Sequence, residues 1–288
     1  MQGNPFQADG SLLAIKKRTP PSRRPVPTKL TSEVLQQNAI LHGLEGPEAS
    51  EVLERGSLVD LAVRHQIYQP DEPIKDVFFP LDCVLSVVTR MEDGSQIEVG
   101  TIGREGLSAI PLLLGATTTA NESYCQVPGH AVKIEAKLFQ SLKTNGRFLQ
   151  LLNRYVQAYV NMLGQLAACN RLHNVYERCA RWLLMTQDRV GDPDIHLTHE
   201  YLAMMLGTQR SGVTIAAGTL HRAGFIEYTH GIITILDRVG LEGASCECYR
   251  VASEQFGGLL RLVNGNNGSD ASSSDEAARK RKKIATRS

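Results

Sequence analysis

The spacing of apolar positions changes character several times along this chain. Residues 31–62 read as helical, most clearly from Ser32 to Gln37 and from Pro47 to Glu54. From Gln66 to about Glu135 the apolar residues fall into short runs instead: Phe78-Phe79, Val84–Val88, Ile97–Val99, Ser123–Val127 and Ala131–Ile134. Such β-branched and aromatic runs, broken by turn residues, predict strands. Asp93-Gly94, inside Met91–Ser95, predicts a hairpin turn. Short strands so closely spaced predict an antiparallel roll of the cupin-like, jelly-roll kind.

Helical spacing returns from Arg147 to Arg171. Leu152, Tyr155, Tyr159, Met162, Leu166, Cys169 and His173 recur three and four apart, while Asn153, Arg154, Gln157, Asn161 and Gln165 occupy the opposite face. A stripe this narrow predicts a seam with a second copy of the same helix, and hence a homodimer, over the alternative of a helix packed on its own domain. Asn174 is placed to cap a following helix, Val175–Val190.

The most informative stretch runs from Leu197 to Ile235. Thr198 can cap a helix that carries Leu202, Met205 and Leu206 at helical spacing. Gly207 can end it in the left-handed conformation. Thr208 and Gln209 form the turn, and a second helix runs from about Arg210 to Ala223 with Val213, Ala216, Ala217 and Leu220 inward. Phe225, Ile226 and Tyr228, then Ile232, Ile233 and Ile235, flank His230-Gly231 as a hairpin wing. The fold class is therefore α+β: an N-terminal roll, a long dimerisation helix and a C-terminal winged helix-turn-helix. The expected division is a basic arm (1–30), an effector domain (31–146), the dimerisation helix (147–173), the winged unit (174–243) and a basic tail (264–288).

Charge sharpens the reading of the second helix. No acidic residue lies between Tyr201 and Ile226, whereas Arg210, His221 and Arg222 are basic. A helix without carboxylates can approach phosphates unopposed. Its outer side chains, Gln209, Arg210, Ser211 and Thr214, suit base edges and phosphates better than a core. The candidate DNA contacts are Thr198, Thr208, Gln209, Arg210, Ser211, Thr214, Arg222 and His230. The expected partner is double-stranded DNA with a two-fold symmetric site.

Composition excludes several classes. The chain has 288 residues and 42% hydrophobic content, enough for two cores. No apolar run approaches the ~18 residues needed to span a bilayer, and the N-terminus has no signal-peptide stretch. No membrane role and a cytoplasmic location are expected. The net charge of +1 hides basic ends, with Lys16-Lys17-Arg18 and Arg23-Arg24 in one and Arg279–Lys283 in the other.

Cys83, Cys125, Cys169, Cys179, Cys246 and Cys248 contain no Cys-x-x-Cys pair, so no zinc ribbon, disulfide framework or cofactor is expected. Cys246-x-Cys248 is the one redox alternative, weighed against buried thiols that act as small hydrophobes. His196, His199 and Glu200 lack the His-Glu-x-x-His spacing and a third ligand. Neither a metal site nor an enzyme is expected. Gly103–Gly115, a glycine-opened loop entering a short helix, offers backbone donors to an anion.

The order of β-roll, long helix and winged helix-turn-helix resembles the Crp/Fnr family of bacterial transcription regulators over roughly Leu41–Leu241. The resemblance is strongest in Glu177–Leu184, in the Leu202-Ala-x-x-Leu-Gly207 segment, in Leu220–Ile226 and in Ile235–Leu241. Gly103-Arg-Glu-Gly106 looks like the loop of the family's phosphate-binding cassette. By that resemblance the protein is a homodimer with one recognition helix per subunit in the DNA major groove, and RNA polymerase is a further candidate partner. Arg210 matches a family arginine that contacts DNA. Ser211 replaces the acidic residue that often follows it, and Ile215 stands where the family commonly has another arginine.

The effector pocket is expected at Gly103, Arg104, Glu105, Gly106, Tyr155 and Tyr159. Cyclic-nucleotide-binding members carry an arginine for the cyclic phosphate, but Ala116–Ser123 here has no Lys or Arg. A buried phosphate without a cation is costly, so little or no response to cAMP is expected. The competing reading is a ligand-binding regulatory subunit whose winged helix contacts protein.

Overall fold

The computed structural model describes residues 29–143, 146–192, 194–229 and 231–263, the last five of these by backbone alone. The basic arm up to residue 28, His230 and the tail from 264 lie outside the described residues.

The roll consists of two antiparallel sheets. One has the order β1 (Ser57–Leu61), β7 (Gly129–Glu135), β3 (Asp76–Pro80). The other has the order β2 (Gln66–Tyr68), β6 (Glu122–Val127), β4 (Val84–Arg90), β5 (Gln96–Ile102). Gly94 closes the β4–β5 hairpin with a positive φ of 82°. β1 replaces the end of the helical run expected over 31–62. Its residues pair with β7 from Ser57↔Lys133 to Leu61↔Gly129, and that long-range pairing is invisible to local spacing.

Helices α1 (Ser32–Leu35), α2 (Ala39–His42) and α3 (Gly46–Arg55) precede the strands. Short helices α4 (Ile110–Leu113) and α5 (Ala136–Leu142) lie within and after them. The long helix α6 spans Gly146–Leu172, and α7 spans Val175–Val190. Asn174 caps α7 through a capping box: its side chain accepts from the Glu177 N–H at 3.0 Å, and its own N–H donates to Glu177 Oε2 at 3.2 Å.

The residues expected in the dimer seam face inward. Leu152, Tyr155, Tyr159, Met162 and Cys169 are buried in the chain's own interior, and Leu166 packs against the same roll core. A helix lying on its own sheet shows the same three-four spacing as a coiled coil. α11 (Cys248–Val263), in a stretch to which the spacing assigned nothing, packs along α6 with Ala252 and Phe256 buried in the roll core. Among the described residues, no helix is long and apolar enough to cross a membrane.

The C-terminal unit builds a second core from α7, β8 (Asp194–His196), α8 (His199–Met205), α9 (Arg210–Arg222), β9 (Ile226–Thr229), β10 (Ile232–Ile235) and α10 (Arg238–Ala244). The three strands are ordered β8-β10-β9. Val88 and Tyr124 of the roll belong to this second core, so the two units share buried surface.

Candidate nucleic-acid interface

The helix-turn-helix is held by identifiable local contacts. The Thr198 hydroxyl accepts from the Tyr201 N–H at 3.2 Å, capping α8. Gly207 adopts a φ of +56°, a conformation that opposes a Cβ, and ends the helix. The Thr208 N–H reaches back to Ala203 O at 3.0 Å. Buried Arg178 of α7 donates to Leu206 O at 2.7 Å, satisfying a carbonyl at the end of α8. Val213, Ala216, Ala217 and Leu220 are the buried face of α9. The helix runs unbroken through Gly212 and Gly218, each worth about 1 kcal/mol against helix relative to Ala.

The outer face of α9 is open. Gln209, Arg210, Ser211, Thr214 and Ile215 are exposed, Thr208 is half-buried, and Arg222 is exposed at the far end. Arg210 pairs with Glu200 at 2.7 Å, both side chains well exposed. Thr214 donates to Arg210 O at 3.0 Å and meets His199 Nδ1 at 3.2 Å. His199 stacks on Tyr228 of the wing with centroids 4.3 Å apart, coupling α8, α9 and β9. Burial, then Arg210, lowers the His199 pKa against an opposing effect of Glu200. Arg222 donates to Thr219 Oγ1 at 3.0 Å. Thr198, Thr208, Gln209, Arg210, Ser211 and Thr214 thus gather around one end of α9, while Arg222 lies about three turns away.

The candidate effector residues also converge, but side chains fill the space between them. A Cβ on Gly106 would overlap the Tyr155 ring. The Tyr155 hydroxyl donates to Leu107 O at 3.2 Å, and Tyr159 lies against Gly100. Glu105 Oε1 accepts from the Gly103 N–H at 3.1 Å and from Arg189 Nε and Nη2, both at 2.8 Å. The Glu105–Arg189 pair is buried. Arg104 turns outward over α7, donating from Nε to Arg189 O at 2.8 Å. Asn38, fully buried, donates to Pro80 O and Gly106 O at 2.9 and 2.8 Å and pins the loop from the other side. A nearby cavity bounded by Glu98, Thr101, Leu166, Arg181 and Trp182 has a volume of about 20 Å³, room for about one water.

Glu98 of β5 was not singled out by spacing. It accepts from Ser86 Oγ at 2.7 Å, Gln126 Nε2 at 2.9 Å and Trp182 Nε1 at 3.2 Å. Part of the residue's surface is open, but its carboxylate is enclosed where α7 meets the roll, and burial pushes its pKa up to about 7.

Residues 177–244 match the model of the Crp-like helix-turn-helix domain. The chain has the fold of the Crp/Fnr transcription regulators. FixK2 from Bradyrhizobium japonicum superposes with a TM-score of 0.57 at 14% identity, over 66% of this chain and 98% of that one. A protein assigned to the Crp/Fnr family from Eubacterium rectale gives 0.56 at 15% identity, over 73% and 98%. A CRP-family transcriptional regulator from Thermus thermophilus gives 0.55 at 18%, over 66% and 99%. No curated protein sequence matches the chain. The Crp-like domain begins within α7 and ends with α10, so Arg178, whose guanidinium holds the end of α8, belongs to it.

Proposed function

We propose that this protein is a sequence-specific DNA-binding transcription regulator that works as a homodimer, with α9 of each subunit in the major groove. The observation that carries the reading is the division of α9. Its inner face is sealed by Val213, Ala216, Ala217 and Leu220, while Arg210, Ser211 and Thr214 project outward free of carboxylates on their own helix.

The dimer is assigned to the face of α6 that the fold leaves open: Asn153, Gln157, Val160 at 53% exposure, and Gly164. These recur at helical spacing, and Gly164, with open space beside it, allows close approach of a second helix. The effector space does not take cAMP, because Tyr155 and the Glu105–Arg189 pair occupy it. The chemistry is binding rather than catalysis.

Selection of duplexes from a random pool, followed by footprinting, tests the proposal. The expected result is a protected two-fold symmetric site with half-sites about one helical turn apart. Protection of a single unrepeated half-site would contradict the dimer.

Ile215, 68% exposed on the outer face of α9, favours the alternative of a regulatory subunit whose winged helix contacts protein. Contact with a thymine methyl is the DNA-side use of the same residue. A chain that retains no duplex from the pool would favour the alternative.

A further inference from the structure

Folding gathers three cysteines and a histidine that the sequence scatters. Cys169 lies in the last turns of α6, and His173 sits in the bend between α6 and α7. Cys246 and Cys248 flank Glu247 just before and at the start of α11. The four potential ligand atoms all lie within 4.8 Å of one another. Cys169 Sγ is 3.5 Å from Cys246 Sγ, and Cys248 Sγ is 3.5 Å from His173 Nδ1.

The two 3.5 Å separations match the edges of a tetrahedron, and a bound ion would draw in the remaining pairs, which lie within 4.8 Å. With metal–sulfur bonds of about 2.3 Å and metal–nitrogen bonds of about 2.0–2.1 Å, those edges are roughly 3.5–3.8 Å. The surroundings are those of a ligand set. His173 Nε2 lies 3.1 Å from Glu247 Oε2. That contact holds the proton on Nε2 and leaves Nδ1 facing the sulfurs, as a carboxylate–histidine–metal arrangement requires. Gln165 Nε2 donates to Cys248 Sγ at 3.0 Å. The buried guanidinium of Arg181 acts on Cys169 and would offset the excess negative charge of three thiolates on a divalent ion.

We infer that Cys169, His173, Cys246 and Cys248 form a closed tetrahedral site for a single zinc ion. Three thiolates and an imidazole select zinc over hard cations, which prefer oxygen. The tight clustering suits one ion rather than a multi-iron cluster, whose irons hold thiolates further apart. With four protein ligands no coordination position is left for substrate, so the site is structural. It ties the end of α6, the bend at 172–174 and the start of α11 into one unit. That bend joins the roll to the Crp-like domain, so zinc fixes the angle between them. The inference does not depend on DNA binding.

The full chain, purified with reductant and dialysed against a zinc chelator, provides the test. A single zinc per chain should survive dialysis. Cobalt(II) bound in its place should give intense visible bands of tetrahedral geometry and sulfur-to-cobalt charge transfer. Cys246→Ser and Cys248→Ser should each lose zinc, whereas Cys179→Ala, buried elsewhere, should keep it. Glu247→Gln should weaken zinc about 10–100-fold.

Should the serine variants misfold by circular dichroism, His173→Cys decides. It should keep the metal and raise the charge-transfer intensity. A parent chain that holds no zinc and gives an octahedral cobalt spectrum would overturn the inference. So would bound iron with sulfide, well-folded serine variants with full zinc, or a His173→Cys spectrum unchanged from the parent.

Discussion

The indole N–H of Trp182 donates to Glu98 Oε1 across 3.2 Å, joining α7 of the Crp-like domain to β5 of the roll. This contact sits among others of the same kind. Ser86 Oγ, whose proton goes to Glu98, lies 3.7 Å from Met205 Sδ, and Tyr124 and Tyr201 pack with ring centroids 6.3 Å apart. The turn that presents α9 is therefore braced from behind by the sheet.

Glu98 gives this junction a pH dependence. Its pKa in the folded chain, about 7, lies above the ordinary 4.5. The folded state thus binds the proton more tightly than the unfolded chain. This contribution to stability is fully present below pH 4.5 and is lost as pH rises through about 7. Urea unfolding midpoints measured from pH 5 to 8 should fall more steeply for the parent than for Glu98→Gln. Equal slopes would show that Glu98 is not held in this environment.

The Glu105–Arg189 pair should behave as a buried ion pair. Arg189→Met leaves the Glu105 carboxylate without its partner and should cost about 3–5 kcal/mol. Adding Glu105→Gln removes the stranded charge while keeping an oxygen for the Gly103 N–H, and should restore much of the loss. Denaturant unfolding of the double-mutant cycle measures the coupling. Additive losses would contradict a direct pair.

Gly106 should tolerate no side chain. A methyl there collides with the Tyr155 ring, so Gly106→Ala should destabilise by about 1–3 kcal/mol. In a Tyr155→Leu background the same change should cost less. Thermal unfolding of the four proteins tests this, and an equal cost in both backgrounds would place Tyr155 elsewhere.

The filled loop also predicts a negative result with ligand. Calorimetric titration of the full chain with cAMP should show no micromolar binding. Micromolar affinity would mean that Tyr155 and Arg189 leave the loop readily.

Much of this molecule is legible in its spacing, and the failures have a common cause. The helix-turn-helix could be read almost residue by residue, because its cap at Thr198, its turn at Gly207 and the inner face of α9 are local features. The strand runs were visible for the same reason. What spacing missed depends on contacts far apart in the chain. β1 exists because it pairs with β7. The stripe on α6 is covered by the roll and by α11, both distant from it in sequence. Glu98 and Trp182 are 84 positions apart, and Cys169 and Cys246 are 77. Counting cysteines along the sequence looks for ligands in one segment, whereas this cluster is assembled from the ends of two helices and the bends beside them.

The direct test of α9 is the affinity of the full chain for its selected duplex, measured by fluorescence anisotropy for the parent and for Arg210→Ala. The variant should bind the selected site about 1–3 kcal/mol more weakly, with a much smaller change on unrelated duplex. Equal affinity of parent and variant for the selected site would contradict the assignment of α9 as the recognition helix.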